Sequence, residues 1–160
     1  MYEIRHLKDN ERDFLLEMLY ESIHIEEERK PSIGVLLNTK ELRKYHQNWG
    51  RKGDTALIAI DHTGSPVGAV WYRLFSGEER GYGYVNDKTP ELGIAIKKEV
   101  RGKGLGAKLM HEIIKEAKNN NYKTLSLSVD TGNTIAINLY RRLSFVEIGD
   151  DGTSITMILK

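Results

Sequence analysis

The sequence contains no cysteine among its 160 residues. This absence excludes disulfides, thiolate metal sites and a cysteine nucleophile from its structure and chemistry. The sequence also lacks any apolar run long enough to span a membrane, and its N-terminal segment has no apolar core of the kind found in signal peptides. We therefore predict a protein of the cytoplasm that has no membrane partner.

An excess of charge of either sign is also missing. Lysine and arginine number 24 against 23 aspartates and glutamates, so the formal net charge is +1. A near-neutral chain creates no general field that would attract nucleic acid, and we expect no such partner. The five histidines share no spacing typical of metal ligands, which predicts that no metal is bound. The length predicts one domain over residues 1–160, large enough to bury its own core.

Apolar periodicity predicts an α/β chain. Residues 55–60 and 66–75 are rich in β-branched and aromatic side chains and flank a turn, which predicts a hairpin. Strands at residues 91–96 and 124–129 enclose a helix that begins at Leu105, and such a unit predicts that two neighbouring strands are parallel. Three further strands are predicted, at residues 2–7, 145–148 and 154–159. A first helix is predicted to start after a cap at Asp9 or Asn10 and to continue into residues 26–30. Two shorter helices are predicted at residues 39–49 and 135–143, and residues 76–90 are predicted to form a long loop.

A glycine-rich turn at residues 100–107 joins one of these strands to the long helix. Gly102, Gly104 and Gly106 allow the backbone to approach a ligand closely, and the first amides of a helix have no partner within it. Such a helix start favours a phosphate or pyrophosphate, and Arg101 and Lys103 add positive charge nearby. The alternative is a plain turn whose glycines only cap the helix.

The spacing of these glycines distinguishes between phosphate-binding motifs. A Walker motif would require a Gly-Lys-Ser/Thr ending, which residues 106–109 do not provide. A dinucleotide-binding redox domain remains an alternative, because Asp130 ends the next strand and could hold a ribose. The Gly-x-Gly-x-Gly spacing differs, however, from the dinucleotide fingerprint.

Two motifs carry a resemblance to a known family. The run Arg101-x-x-Gly104-x-Gly106 after an apolar strand resembles the pyrophosphate motif of the GNAT superfamily of N-acetyltransferases. Residues 133–145, with Asn133, Ala136, Leu139-Tyr140, Leu143 and Phe145, are similar to its second signature, with Ser144 where the family commonly has glycine. The order of predicted elements also resembles that of the family over nearly the whole chain.

The resemblance implies a mixed α/β (α+β) fold of the GNAT type. Its twisted sheet has helices on both faces and a central pair of parallel strands that splay apart, here residues 91–96 and 124–129. Acetyl-CoA, the co-substrate, would enter between them, with its pantetheine arm along the first strand and its pyrophosphate on the glycine turn. For Asn133, helix capping and contact with the cofactor are compatible roles. The cofactor-binding residues implied are Ile94, Ala95, Ile96, Arg101, Gly102, Lys103, Gly104, Leu105, Gly106, Ala107, Asn133 and Tyr140.

The implied reaction is direct attack of a primary amine on the thioester. Tyr140 matches the family tyrosine that serves as general acid for the departing sulfur; the alternative is an ordinary core tyrosine. Glu91 opens the central strand and is the candidate base, either directly or through a water; the alternative is an exposed residue without a role. Some relatives carry the basic glutamate on the next strand, but this chain has Ser128 at that position.

The acceptor is the least defined part of this prediction. Residues 21–40 and the loop at 76–90 are expected to select a small-molecule or peptide amine, with the aromatic residues Trp71, Tyr72, Tyr82 and Tyr84 lining its pocket or packing in the core. The resemblance also allows a homodimer and acyl groups other than acetyl. A further alternative is a non-catalytic module that binds acyl-CoA as a sensor.

Overall fold

The computed structural model describes all 160 residues, and its strands form one seven-stranded sheet. The strands are β1 (Glu3–His6), β2 (Thr55–Ile60), β3 (Pro66–Arg73), β4 (Glu91–Ile96), β5 (Leu125–Asp130), β6 (Val146–Asp150) and β7 (Ser154–Leu159). Their order in the sheet is β1-β2-β3-β4-β5-β7-β6. Every neighbouring pair is antiparallel except β4 and β5, so the predicted mixed sheet is confirmed.

The parallel strands β4 and β5 are paired at one position only, where Glu91 lies opposite Ser126. The Ser126 amide donates to the Pro90 carbonyl over 2.9 Å, which fixes the two strands together at their N-terminal ends. Beyond this point no pairing continues, and the strands separate toward their C-terminal ends. The predicted splayed pair is therefore confirmed.

Helices cover both faces of the sheet, as predicted. The helices are α1 (Arg12–Ser22), α2 (Ile33–Leu37), α3 (Lys40–Arg43), α4 (Leu105–Asn119) and α5 (Thr134–Arg142). The apolar stripes of α4 and α5 pack against one face in the larger core cluster, whereas α1 and α2 pack against the other face. The α4 stripe comprises Leu105, Leu109, Met110, Ile113 and Ala117, all buried at helical spacing.

The first helix is shorter than predicted and does not continue into the charged residues 26–30. It ends at Ser22 because Ile23 has extended backbone angles. The Ser22 hydroxyl donates to the Leu19 carbonyl, and the Lys30 ammonium donates to the Tyr20 carbonyl, so side chains satisfy the last carbonyls of the helix. The predicted cap at Asp9 or Asn10 is also wrong, since both residues lie in a 3-10 turn before the helix.

The helix predicted for residues 39–49 is limited to Lys40–Arg43, and turns follow it. A helix that continued to Trp49 would use the Lys44 carbonyl as the acceptor for the Asn48 amide, a hydrogen bond that does not form here, whereas the Gln47 carbonyl would lie in its last turn without a donor from the helix. The buried Arg73 guanidinium instead donates to both carbonyls, over 2.8 Å each. Arg73 therefore takes the place of one helical donor at Lys44 and holds the backbone of this turn against β3.

Candidate active site

A cleft of about 630 Å³ opens where β4 and β5 separate. One part of its wall comes from the two strands and from α5. The opposite part comes from the end of α1, from α2 and α3, and from the turn between β6 and β7. The residues on its wall include His24, Glu41, Tyr45, Trp71, Arg73, Tyr82, Glu91, Gly93, Ile94, Ser128, Asp130, Asn133, Tyr140 and Asp151.

The side chains of β4 point alternately to the two faces of the sheet. Leu92 belongs to the core on the α4 side, and Ala95 belongs to the core on the α1 side. Because side chains alternate along a strand, Glu91 and Gly93 face the α1 side together with Ala95. Tyr140 comes from α5 on the other face. The cleft therefore brings Glu91 and Tyr140 to one opening from opposite faces of the sheet.

Glu91 is buried, with 6% of its surface exposed, which is not the exposed strand-start position considered above. The Tyr45 hydroxyl donates to its Oε2 over 2.8 Å, and the Gly83 amide donates to its Oε1 over 2.9 Å. Burial raises the pKa of Glu91 to about 7, and the hydrogen bonds from Tyr45 and Gly83 oppose that rise. The carboxyl group therefore changes its charge near neutral pH, where a general base is most effective.

Tyr140 is 7% exposed, and its ring packs against Phe145 with centroids 6.0 Å apart. Burial raises the pKa of its hydroxyl to about 12, so Tyr140 keeps its proton at neutral pH. A protonated phenol on the wall of the cleft can donate to a group that leaves with negative charge.

Asn133 begins α5 and lies on the cleft wall. Its side-chain oxygen accepts a hydrogen bond from the Ala136 amide over 3.2 Å, which makes it the cap of this helix. Its side-chain nitrogen, Nδ2, makes no hydrogen bond within the chain, whereas its backbone amide donates to the Asp130 carbonyl. The capping role and a role toward a ligand are thus compatible in one residue.

The glycine turn contains backbone donors that have no partner within the chain. Gly104 begins α4 in the left-handed region at φ 83°, and a Cβ placed on it would meet no atom within 4 Å. The amides of Leu105, Gly106 and Ala107 donate no hydrogen bond within the chain. An open helix start of this kind suits a pyrophosphate, which would accept from these amides.

The predicted site residues divide into two groups. Glu91, Ile94, Asn133 and Tyr140 line the cleft. The other predicted site residues do not line the cleft; they lie at the C-terminal end of β4 and in the glycine turn that leads into α4. The Arg101 guanidinium donates to the Ile96 carbonyl over 2.9 Å and so ties this second group to the strand end. The residues in this second group are Ala95, Ile96, Arg101, Gly102, Lys103, Gly104, Leu105, Gly106 and Ala107.

Of the four aromatic residues considered for the acceptor pocket, Trp71 and Tyr82 line the cleft. Trp71 is also almost completely buried and covers Gly93, where any Cβ would collide with the indole ring. Tyr72 is fully buried on the other face and accepts a hydrogen bond from Asn120. The Tyr84 hydroxyl donates to Asp87, away from the cleft.

The structure contains neither a membrane-spanning helix nor a cluster of metal ligands. No helix in the structure combines the length and the apolar character that a bilayer crossing requires. No three His, Asp or Glu side chains lie together in an arrangement that could hold a metal ion.

Comparison with known proteins gave one family and several relatives. A sequence model described as the acetyltransferase (GNAT) family matches residues 17–145. The L-methionine sulfoximine/L-methionine sulfone acetyltransferase of Pseudomonas paraeruginosa is 33% identical over 98 residues, which are 59% of this chain and 52% of that protein. The match thus spans about half the length of this curated relative.

Solved structures match over nearly the whole chain. The PaiA N-acetyltransferase of Thermoplasma acidophilum, in complex with coenzyme A, superposes with a TM-score of 0.74 at 21% identity, covering 100% of this chain and 99% of that one. The ribosomal-protein-alanine N-acetyltransferase of Brucella melitensis superposes with a TM-score of 0.71 at 23% identity, covering 98% of each chain. At these identities the similarity establishes a shared fold.

Proposed function

The chain belongs to the acetyltransferase (GNAT) family, and from this premise we propose that it transfers an acetyl group from acetyl-CoA to the primary amine of an acceptor. The main observation in support of this proposal is that Glu91 and Tyr140 both line the cleft between β4 and β5. One carboxyl group that titrates near neutrality and one protonated phenol are the proton acceptor and donor that such a transfer needs.

The co-substrate is proposed to lie along β4 and the glycine turn. Beyond Glu91, β4 has no pairing with β5, so the backbone of Ile94, Ala95 and Ile96 has an open edge for the pantetheine arm. The free amides at the start of α4 would hold the pyrophosphate, assisted by the charges of Arg101 and Lys103. The side-chain amide of Asn133 has no partner for its nitrogen and can donate to the pantetheine arm.

Glu91 and Tyr140 together account for both proton transfers of the reaction. The amine nitrogen forms a bond to the thioester carbonyl carbon, and the bond between that carbon and the sulfur breaks. Glu91 takes the proton that the amine loses, directly or through a water, and Tyr140 supplies a proton to the departing sulfur. A backbone amide of β4 would stabilise the charge that develops on the carbonyl oxygen.

The acceptor is proposed to be a primary amine of a small molecule or a peptide. The relatives from Pseudomonas are named for amino-acid substrates, and an arginine or lysine is a strong binding partner for the carboxylate of such a molecule. Arg73 is the only arginine or lysine on the cleft wall, and its guanidinium is engaged by Asp54 and by two carbonyls. An acceptor without a carboxylate next to its amine therefore fits this cleft better.

Three further parts of the proposal rest on the family assignment. We propose that residues 1–160 act as one catalytic domain and that acetyl is the acyl group transferred. We also propose a cytoplasmic location, since the reaction depends on acetyl-CoA in that compartment.

The pH dependence of turnover tests the role of Glu91. We expect the kcat/KM of the wild type to fall as the pH decreases through about 7, because the carboxyl group becomes protonated there and can no longer accept the amine proton. The Glu91→Gln substitution should lower kcat/KM by about 100-fold above this pH and remove the limb near pH 7, leaving only the limb that the protonation of the amine substrate itself produces. Thiol release with a panel of primary amines, measured across the pH range, gives both results.

A matched control is Glu3→Gln, which changes an exposed glutamate that also opens a strand. This variant should keep the wild-type profile. An unchanged acidic limb in Glu91→Gln would exclude Glu91 as the base and leave water as the proton acceptor.

A further inference from the structure

The Tyr45 hydroxyl connects Glu91 to the loop at residues 76–90. It donates to Glu91 Oε2 over 2.8 Å and accepts from the Tyr82 amide over 2.6 Å. The next amide in the loop, that of Gly83, donates to the other carboxylate oxygen, Oε1, over 2.9 Å. The Tyr45 hydroxyl and the Glu91 carboxylate therefore bind two successive backbone amides of the loop, those of Tyr82 and Gly83.

The ring of Tyr45 is fixed by its neighbours. It stacks on Tyr82 with centroids 6.3 Å apart at an angle of 13°, and its edge contacts Phe75 with centroids 5.1 Å apart. A half-buried ring held on two sides has little freedom to rotate. Its hydroxyl therefore stays in one direction, toward the carboxylate.

The backbone around Tyr45 is fixed as well. Arg73 donates to the carbonyls of Lys44 and Gln47, on either side of Tyr45. Its guanidinium also donates twice to Asp54, over 2.8 and 2.9 Å, and both side chains are only 1% exposed. A bidentate buried pair of this kind holds a rigid geometry. The turn that carries Tyr45 is thereby anchored to β3.

Two glycines allow the loop to come this close. A Cβ on Gly81 would collide with the Glu91 carboxylate and the Tyr45 hydroxyl, and a Cβ on Gly83 would collide with the backbone of Leu127. Any other residue at position 83 would displace the loop, and one at position 81 would displace either the loop or the side chains of Glu91 and Tyr45. The close approach of the loop to the carboxylate thus depends on these two positions.

From these contacts we propose that Tyr45 is the positioning residue for the catalytic base. This inference rests on the proposed function, in which Glu91 accepts the amine proton. Tyr45 holds one oxygen of the carboxylate, and with Gly83 it orients the remaining acceptor positions of the group toward the cleft. By donating to the carboxylate, it also favours the ionised form that can accept a proton.

Other charged and titratable groups surround Glu91 and remain in place when Tyr45 is changed. Lys44 lowers the pKa of Glu91 by its charge. Arg73 lies opposite Glu91 on β3 but is paired with Asp54, and Tyr140 faces the cleft from α5. The other titratable groups on the cleft wall are His24, Glu41, Tyr82, Asp130 and Asp151.

The Tyr45→Phe substitution tests the proposal because it keeps the ring and removes only the hydroxyl. We expect kcat to fall about 10-fold, with an unchanged Kd for acetyl-CoA. We also expect the acidic limb of the pH profile to move up by about one unit, because the ionised carboxylate loses a donor. The control is Tyr122→Phe, which removes the hydroxyl of a half-buried tyrosine packed against Tyr72 outside the cleft, and it should leave both quantities unchanged.

The double variant distinguishes positioning from a general structural effect. If Tyr45 acts through Glu91, adding Tyr45→Phe to Glu91→Gln should cost no further activity. A further 10-fold loss in the double variant, or a wild-type pH profile in Tyr45→Phe, would overturn the proposal.

A measurement without turnover separates this inference from the proposed function. Carboxyl-carbon NMR of the protein alone should show Glu91 titrating about one unit higher in Tyr45→Phe than in the wild type. That shift would support the Tyr45 contact even if no acetyl transfer were found, whereas an unshifted Glu91 titration would overturn it.

Discussion

Replacing Gly104 by glutamate is expected to abolish the binding of acetyl-CoA. A Cβ at this position points into open space in front of α4, beside amides that donate no hydrogen bond within the chain. A carboxylate placed there would occupy the site proposed for the pyrophosphate and would repel its negative charge. We expect the Kd to increase by at least about 100-fold, as two unfavourable contacts of about 1.4 kcal/mol each would produce.

Equilibrium dialysis with labelled acetyl-CoA measures this loss. Because Gly104 has a positive φ, any side chain also adds backbone strain, and the control must carry the same strain. Gly64, in the turn between β2 and β3, has φ 87° and equally open surroundings. Gly64→Glu should therefore bind acetyl-CoA as the wild type does. An unchanged Kd in Gly104→Glu would contradict the assignment of the glycine turn.

Tyr140→Phe should produce the largest loss of turnover with an intact co-substrate site. The substitution keeps the ring that packs against Phe145 and removes the proton that the departing sulfur would receive. General acid catalysis contributes about 100- to 10,000-fold, so kcat should fall within this range. The Kd for acetyl-CoA should change far less than kcat, because a proton donated during the reaction stabilises the transition state more than the bound co-substrate.

Steady-state kinetics and a separate binding titration distinguish these two effects. Tyr122→Phe provides the control for removal of a phenol hydroxyl outside the cleft, and it should retain the wild-type kcat. If Tyr140→Phe turned over at the wild-type rate, the proton would reach the sulfur from another source. If only the Kd changed, Tyr140 would be a binding residue and not the acid.

The parts of the fold that the sequence predicted well are those with strong local patterns. The strands β4 and β7 have the predicted bounds, and α4 follows the apolar stripe that begins at Leu105. The glycine turn was recognisable for the same reason, because both its spacing and its place before α4 are local features. The splayed strand pair followed from the family resemblance.

The parts that could not be predicted depend on contacts between distant segments. The turn that follows α3 is held by Arg73, which lies 29 residues beyond the Lys44 carbonyl to which it donates. The contact between Tyr45 and Glu91 spans 46 residues. No periodicity or motif near Tyr45 indicates its partner, because the partner is set by the packing of the α3 turn against β3 and β4. The burial of Glu91, which raises its pKa, is likewise a property of the assembled site.

A calorimetric titration with acetyl-CoA, compared with NADH under the same conditions, tests the central claim most directly. The open edge of β4 and the free amides of α4 predict saturable binding of acetyl-CoA at one site per chain, with no comparable binding of NADH. Preference for NADH, or no binding of acetyl-CoA, would contradict the account of the cleft as an acetyl-CoA site.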